Sequence, residues 1–165
     1  MSGARLFRWL AALGLAAAAA AAQAGGCTLS SSGLAFGAYQ PLTFSGKLLS
    51  DDRTSDASIS IVCTGIVAGG SYSIALGPSL AGASSNPRYL ANVQGGPNMA
   101  FNIFREPTHT TVWGDGGTGG LLTGSIAAGD SNQSHSVYGK IPGGQNTVRA
   151  GSFTGTMTMT LTYNP

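Results

Sequence analysis

The stretch that decides the fold lies near the C-terminal end, where residues 151–165 read GSFTGTMTMTLTYNP. From Phe153 to Tyr163, apolar residues and Gly155 take every second place, and threonines take the places between them. Because successive side chains of a β-strand point to opposite faces, the alternation predicts one strand with an apolar face and a hydroxyl face. Such an uncharged strand aggregates readily at an open edge. We therefore expect either the fold or a partner to cover it.

The rest of the chain reads as short strands separated by glycine and proline. Strands are predicted at Cys27–Phe36 with a break at 30–33, and at Ala57–Cys63, Tyr72–Leu76, Arg88–Ala91, Met99–Arg105 and Ser136–Ile141. The second and third are expected to pair across a turn at Gly69-Gly70. Residues 41–56 are polar and read as a connection with one short strand at Leu42–Phe44. Helical periodicity is absent after residue 24, so the pattern favours an all-β sandwich or barrel.

The N-terminal segment has the features of a secretory signal peptide. Arg5 and Arg8 precede the apolar run 9–22, and Ala22-Gln23-Ala24 is a cleavage signal of small residues. The run is shorter than the roughly 20 residues of a membrane span. Acylation of Cys27 is the weaker alternative, because no large aliphatic residue stands three places before it. We predict a signal peptide at 1–24 and one domain at 25–165.

The charge balance excludes one class of partner. The chain has eight basic and six acidic residues, and cleavage would remove Arg5 and Arg8, which leaves the mature protein formally neutral. Proteins that bind nucleic acid present a basic face. No nucleic-acid partner is therefore expected. The 26 glycines, together with many apolar residues, are typical of a secreted β-protein with many turns.

The chain has two cysteines, Cys27 and Cys63. In an exported protein, an even number of cysteines favours a disulfide. A bond between these positions would join the first strand to the strand that ends at Cys63, and the loop-entropy relation assigns it roughly 3.5–4 kcal/mol. A metal or redox pair is the alternative. The sequence does not favour it, because there is no CxxC motif and His109 and His135 stand alone.

Catalytic patterns are weak throughout the sequence. His135 stands among serines and reads as a surface-loop residue, while Asp115 and Asp130 lie in glycine-rich surroundings typical of turns. The segment 114–119 satisfies G-x-G-x-x-G, but no helix pattern follows it, so it is interpreted as a flexible loop and not as a phosphate site. We expect no enzyme, no metal and no cofactor.

Several segments, in order, resemble the spore coat protein U domain family, which includes pilins of the archaic (Csu-type) chaperone–usher pathway. They are Cys27 before LAFGAYQP (34–41), ISIVCTG (59–65), YSIAL (72–76), MAFNIFRE (99–106) with Trp113-Gly114, VYGKIPGGQ (137–145) and GSFTGTMTMTLTY (151–163). The resemblance covers nearly all of residues 25–165. It implies an incomplete immunoglobulin-like β-sandwich that lacks its final strand and is completed by a donor strand.

The resemblance also implies partners and a location. A periplasmic pilus chaperone would lend a strand first, an outer-membrane usher would assemble the fibre, and another pilus subunit would then donate its own strand. The protein would be secreted through the periplasm to the cell surface, in a pilus or coat that serves cell adhesion and biofilm formation. An unpaired edge with an apolar face suits strand addition. The candidate chaperone and donor-strand contacts are Phe153, Met157, Met159, Leu161 and Tyr163.

One departure from the family pattern affects the expected role. Fibre-forming members carry an alternating extension before the first cysteine, whereas only Gly25 and Gly26 would follow the cleavage site here. Two extended residues span about 7 Å, too little to fill a neighbour's groove. We therefore expect a tip or capping subunit, with loops 78–97 and 114–120 as candidate contacts to a surface. The alternative is a stand-alone coat or surface protein whose groove is filled by itself or by self-pairing.

Overall fold

The computed structural model describes residues 25–40 and 51–165, which form nine strands in two sheets. In chain order the strands are β1 (Gly26–Ser31), β2 (Arg53–Ile66), β3 (Gly70–Ser79), β4 (Arg88–Asn92), β5 (Met99–Phe104), β6 (Leu122–Ile126), β7 (Gly129–Ile141), β8 (Phe153–Thr154) and β9 (Met157–Asn164). One sheet has the order β1-β2-β7-β5-β4-β8, and the other has the order β6-β3-β9. The predicted signal peptide and the predicted strand at Leu42–Phe44 lie outside the described residues.

The described part of the chain contains no helix that is long and apolar enough to cross a membrane.

The centre of the larger sheet is β2, which pairs with β1 on one side and with β7 on the other. Its alternation places Ala57, Ile59, Ile61 and Cys63 on the inner face, where all four are buried. Cys27 of β1 lies directly opposite Cys63 in the register, and the two are joined by a disulfide with a Cα–Cα distance of 4.0 Å. The predicted bond between these strands is confirmed.

The core lies between the two sheets and is predominantly apolar. Its largest side chains with less than 2% exposure are Trp113, Arg88, Phe101, Ile59, Ile61, Ile74, Ile141, Val137 and Cys63. The Trp113 indole N–H donates a hydrogen bond of 2.9 Å to the Ile74 carbonyl oxygen, so its polar atom is satisfied inside the core. Arg88 is the one cation in this set.

The predicted pairing of the second and third strands is wrong. β2 and β3 follow each other in sequence but lie in different sheets, because the connection at residues 67–69 carries the chain from one layer to the other. Both edges of β2 are occupied by β1 and β7. The polar connection predicted up to residue 56 is also too long, since β2 begins at Arg53. Alternation reveals which face of a strand is buried but does not reveal its neighbours.

The C-terminal stretch forms two strands instead of the single strand predicted from its alternation. β8 pairs with β4 in the larger sheet, and β9 pairs with β3 in the smaller sheet. The chain changes sheets at Gly155, where a Cβ atom would lie 2.7 Å from the Leu90 Cδ2 atom. The side-chain alternation continues across this crossing, which is why the sequence pattern does not reveal it.

The segment from 114 to 126 also differs from expectation. The loop at 114–120 is closed by a hydrogen bond of 2.9 Å from the Gly114 N–H to the Gly120 carbonyl. Inside it, the Asp115 carboxylate accepts the N–H groups of Thr118 and Gly117 at 2.7 and 3.0 Å, and these bonds lower the pKa of Asp115. Asp115 is thus the turn former that was predicted, but the loop is well bonded. The strand β6, which the sequence pattern did not reveal, follows it.

His135 lies in β7 and not in a surface loop. Its Nε2 atom is 2.7 Å from the Tyr72 hydroxyl of β3, so the side chain links the two sheets. Burial, and then the positive charge of Arg105, lower the pKa of His135. A longer β7 than predicted explains the error, since its outer half carries hydroxyl and amide side chains that resemble a loop.

Candidate strand-accepting groove

The smaller sheet ends at β9, which pairs with β3 on one side. Within the described residues, no strand pairs with its other side. The side chains of Met157, Met159, Leu161 and Tyr163 face inward and are partly buried, while the threonines between them are exposed. The predicted apolar and hydroxyl faces are therefore confirmed. Partial burial shows that the described residues leave the core beside this strand incompletely covered.

Hydrogen bonds of β3 reveal which backbone groups of β9 face the open edge. The Leu76 N–H donates to the Gly114 carbonyl at 2.9 Å, and the Leu76 carbonyl accepts from Arg88 at 2.8 Å. Both groups therefore point away from β9. In an antiparallel pair of this kind, the opposite residue also directs its N–H and C=O away from its partner. That residue is Met159, so its backbone groups face the open edge, as do those of Leu161 two places on.

The segment 32–40 lies opposite β9, and we call it the wall. It continues from β1 without joining a strand. The Phe36 ring meets the Phe101 ring edge-on, with a centroid distance of 6.1 Å. Gly139 makes room for this wall, because a Cβ atom there would lie 2.6 Å from the Phe36 Cζ atom. The Tyr39 hydroxyl donates a hydrogen bond of 2.8 Å to the Pro142 carbonyl. The wall is thus anchored at its middle and at its far end.

A cavity of about 980 Å³ lies between this wall and β9. Its floor consists of apolar core residues from both sheets, namely Ala57, Ile59, Leu76, Met99, Phe101, Ile103, Trp113, Val137 and Ile141. Leu90 and residues 148–155 close the end near β8. Among the described lining residues, Arg149 is the only charged one. The cavity is therefore an apolar groove beside an open sheet edge.

The structure places the predicted contact residues at different points along this groove. Phe153, Met157 and Met159 line the cavity. Leu161 and Tyr163 lie further along β9 and outside the lining, where both pack against the core and the Tyr163 hydroxyl donates to the Ala68 carbonyl. Their role in partner contact stays a prediction. The wall had no predicted role in the site, although Leu34 and Phe36 on one parity were a usable signal.

The three groups considered for catalysis are held separately. Asp115 is bonded within its own loop, Asp130 accepts the Gly65 N–H at 2.9 Å, and His135 contacts Tyr72. None of the three lines the groove. Within residues 25–40 and 51–165, no three side chains of His, Cys, Asp or Glu come together in a way that could hold a metal ion.

The fold and the groove together define a class of domain: an immunoglobulin-like β-sandwich with an incomplete edge beside exposed core. The chain belongs to the Spore Coat Protein U domain family, which it matches over residues 13–160. The expected family and the expected all-β, incomplete sandwich are confirmed. This membership, together with the fold, identifies a structural protein and not an enzyme.

A solved structure supports the fold assignment. The chain is similar to a chain of the CsuC–CsuE chaperone–tip adhesion subunit pre-assembly complex from the archaic chaperone–usher Csu pili of Acinetobacter baumannii, with a TM-score of 0.50 and 18% sequence identity. The similarity covers 84% of this chain but 40% of that chain, so this protein spans less than half of its neighbour's length. None of the curated proteins matches the sequence.

Proposed function

We propose that this protein is an exported subunit of a surface pilus that is completed by a donor strand from a partner. The observation that carries the proposal is the apolar groove beside the open edge of β9. A donor strand could pair with the outward backbone groups of Met159 and Leu161 while its alternate side chains enter the groove. The wall at 32–40, which joins no strand, would flank the donor on its other side.

The apolar lining of the groove decides which kind of strand would bind there. Burial of apolar side chains is the main gain that a donor strand brings. The apolar floor supplies this gain without the burial of a charge, since Arg149 is exposed at the rim of the groove. A donor with alternating apolar residues is therefore the best match to the site.

The proposed partners follow from the family and from the groove. A periplasmic chaperone occupies the groove first, and a neighbouring subunit then replaces it during assembly by an outer-membrane usher. The similar solved structure is described as a complex of a chaperone with a tip adhesion subunit, which supports this order of partners. The protein would reach the cell surface in the pilus and contribute to adhesion.

A tip or capping position is the finer part of the proposal. With cleavage after Ala24, only Gly25 would precede β1, and β1 is already paired with β2 from Gly26 onward. Such a mature N-terminus has no residues left to fill a neighbour's groove. The subunit would accept a strand without donating one, and it would end a fibre.

A fused donor tests the groove assignment. We would attach an alternating apolar donor strand after Pro165 through a short linker and measure the melting temperature of the secreted protein. The matched control is the same donor shifted by one residue, which turns its polar side chains inward. We expect a clear rise in melting temperature for the first donor and little change for the control. Equal effects of the two donors would contradict the proposal.

Three measurements test the tip position. N-terminal sequencing of the exported protein should begin at Gly25. Mixed with a subunit that carries an extension, the chaperone-bound protein should form one-to-one pairs and stop. Immunogold labelling should mark fibre ends. Label at regular spacing along the shaft would exclude the tip role, and label on cells without fibres would favour the stand-alone coat protein.

A further inference from the structure

Arg88 is a fully buried cation that donates hydrogen bonds to three backbone carbonyls and one side-chain amide. Its side chain is 0% exposed. Its Nη2 group donates to the Leu76 and Trp113 carbonyls at 2.8 and 2.9 Å, and its Nε group donates to the Gly77 carbonyl at 2.9 Å. Nη1 donates to the Asn102 Oδ1 atom at 2.7 Å. No carboxylate is among these partners.

The Arg88 side chain connects the two sheets directly beneath the floor of the groove. Arg88 begins β4 of the larger sheet, whereas Leu76 and Gly77 belong to β3 of the smaller sheet. The register between β3 and β9 shifts just after Leu76, where the regular ladder between the two strands is interrupted. Leu76 and Trp113 also line the groove floor. The guanidinium therefore holds the backbone of two floor residues in place.

The chemistry of this contact is specific to arginine. Burial lowers the pKa of Arg88 to about 10, and the negative charge of Asp115 offsets part of that shift, so the side chain stays protonated at neutral pH. Its planar fork directs several N–H groups at fixed angles, whereas a lysine ammonium is a compact charge on a flexible stem. A lysine at this position would retain the charge but would not hold three carbonyls in one geometry.

We infer that Arg88 is a specificity-determining residue of the groove: by clamping the Leu76, Gly77 and Trp113 carbonyls, it sets the depth of the floor and thereby selects the size of the donor side chain above it. The inference rests on the proposed function, because it concerns the donor strand that fills the groove. A rigid floor accepts one side-chain volume best, since close-packed interiors penalise both cavities and overpacking. A floor released from its clamp can adapt to several sizes.

Three fused donors that differ at one inward position test this inference. Valine, leucine or phenylalanine would be placed over Leu76 and Trp113 in the donor attached after Pro165. In the native chain we expect the melting temperatures of the three fusions to spread by at least roughly 5 °C, given the usual cost of volume mismatch in a domain of this size. In Arg88→Lys, the spread should fall below half of that value. Arg53→Lys, an exposed arginine at the start of β2, is the matched control and should keep the full spread.

The outcomes separate this inference from a general stabilising role. If Arg88 only stabilises the fold, Arg88→Lys lowers all three melting temperatures by a similar amount and keeps their spread, which would overturn the inference. Should Arg88→Lys fail to fold, Arg88→Gln removes the buried charge and leaves a single amide group that cannot hold the three carbonyls, and an undiminished spread in that variant would overturn the inference equally. If no donor exceeds its register-shifted control in the native chain, the proposed function fails and this inference fails with it.

Discussion

β2 and β9 have the same kind of sequence but different surroundings. Both alternate apolar residues with small polar ones, and in both the apolar residues face the core. β2 has a strand on each side, and Ile59 and Ile61 are 1% and 0% exposed. β9 has a described partner on one side, and its inward residues are only partly buried.

The difference shows that burial depends on neighbours as much as on pattern. An inward side chain is covered both by the opposite sheet and by the strands beside it. β9 has the opposite sheet but lacks a second neighbouring strand among the described residues, and the groove lies along that side. The same alternation that makes β2 a stable centre leaves β9 beside an apolar groove, where we propose that a partner strand binds.

The largest expected effect comes from placing a carboxylate on the inner face of each strand. In Ile61→Asp a charge is buried without a partner, which costs several kcal/mol and should leave the secreted domain unfolded by circular dichroism. In Met159→Asp the partly buried position should permit folding, but capture by the chaperone or by a fused donor should be lost.

The matched control for Met159→Asp is Thr160→Asp, which lies on the exposed face of the same strand. It should have a mild effect on folding and on capture. If the two β9 variants behaved alike, both faces would be buried in the assembled state, and the contrast between the two strands would be wrong.

Removal of the disulfide should have the next largest effect. Cys27→Ser with Cys63→Ser should lower the free energy of unfolding by roughly 3.5–4 kcal/mol, because the loop between the two residues is no longer closed in the unfolded chain. Denaturant unfolding measures this loss. Neither cysteine lines the groove, so the loss should be the same with and without a fused donor. A loss confined to one of the two forms would show that the β1–β2 bond and the groove are coupled.

Amide exchange should distinguish the two strands residue by residue. The N–H groups of Thr160 and Thr162 face β3 and should exchange slowly, whereas those of Met159 and Leu161 face the open edge and should exchange quickly. A fused donor should slow the second pair. In residues 59–63 of β2, which are paired on both sides, protection should be continuous. Uniform slow exchange along β9 without a donor would mean that another segment already covers this edge.

The smallest expected effect concerns pH. The pKa of His135 is lowered in the folded protein, chiefly by burial, so protonation favours the unfolded chain. The protein is most stable above about pH 6.5, which is the pKa of histidine in the unfolded chain. The free energy of unfolding should decrease as the pH falls from about 6.5 toward the lower pKa of His135 in the folded protein. Partial exposure of the side chain keeps this fall small. In His135→Gln, denaturant midpoints should be flat in this window, and a fused donor should not alter the dependence.

Much of the site was predictable in its chemistry but not in its arrangement. The apolar face of residues 157–163 follows from alternation alone, and the Cys27–Cys63 bond follows from an even cysteine count in an exported chain. The wall at 32–40 was not identified as part of a site, because its side chains meet residues that are far away in sequence, such as Phe101 for Phe36 and Pro142 for Tyr39. The burial of Arg88 gave no sequence signal, since an arginine at the start of a short strand is usually exposed.

The local features of this protein follow from its amino-acid sequence alone, namely most of the strands and the face that each of these buries, because such features depend on side-chain periodicity. The disulfide pair also follows, because the chain has two cysteines. Three features are visible only in the folded protein: β2 and β3 lie in different sheets, the C-terminal stretch changes sheets at Gly155, and β9 lies at an edge that no other described strand covers. These features depend on which strands compete for the same hydrogen-bonding edge, and a period of two residues carries no information about that competition.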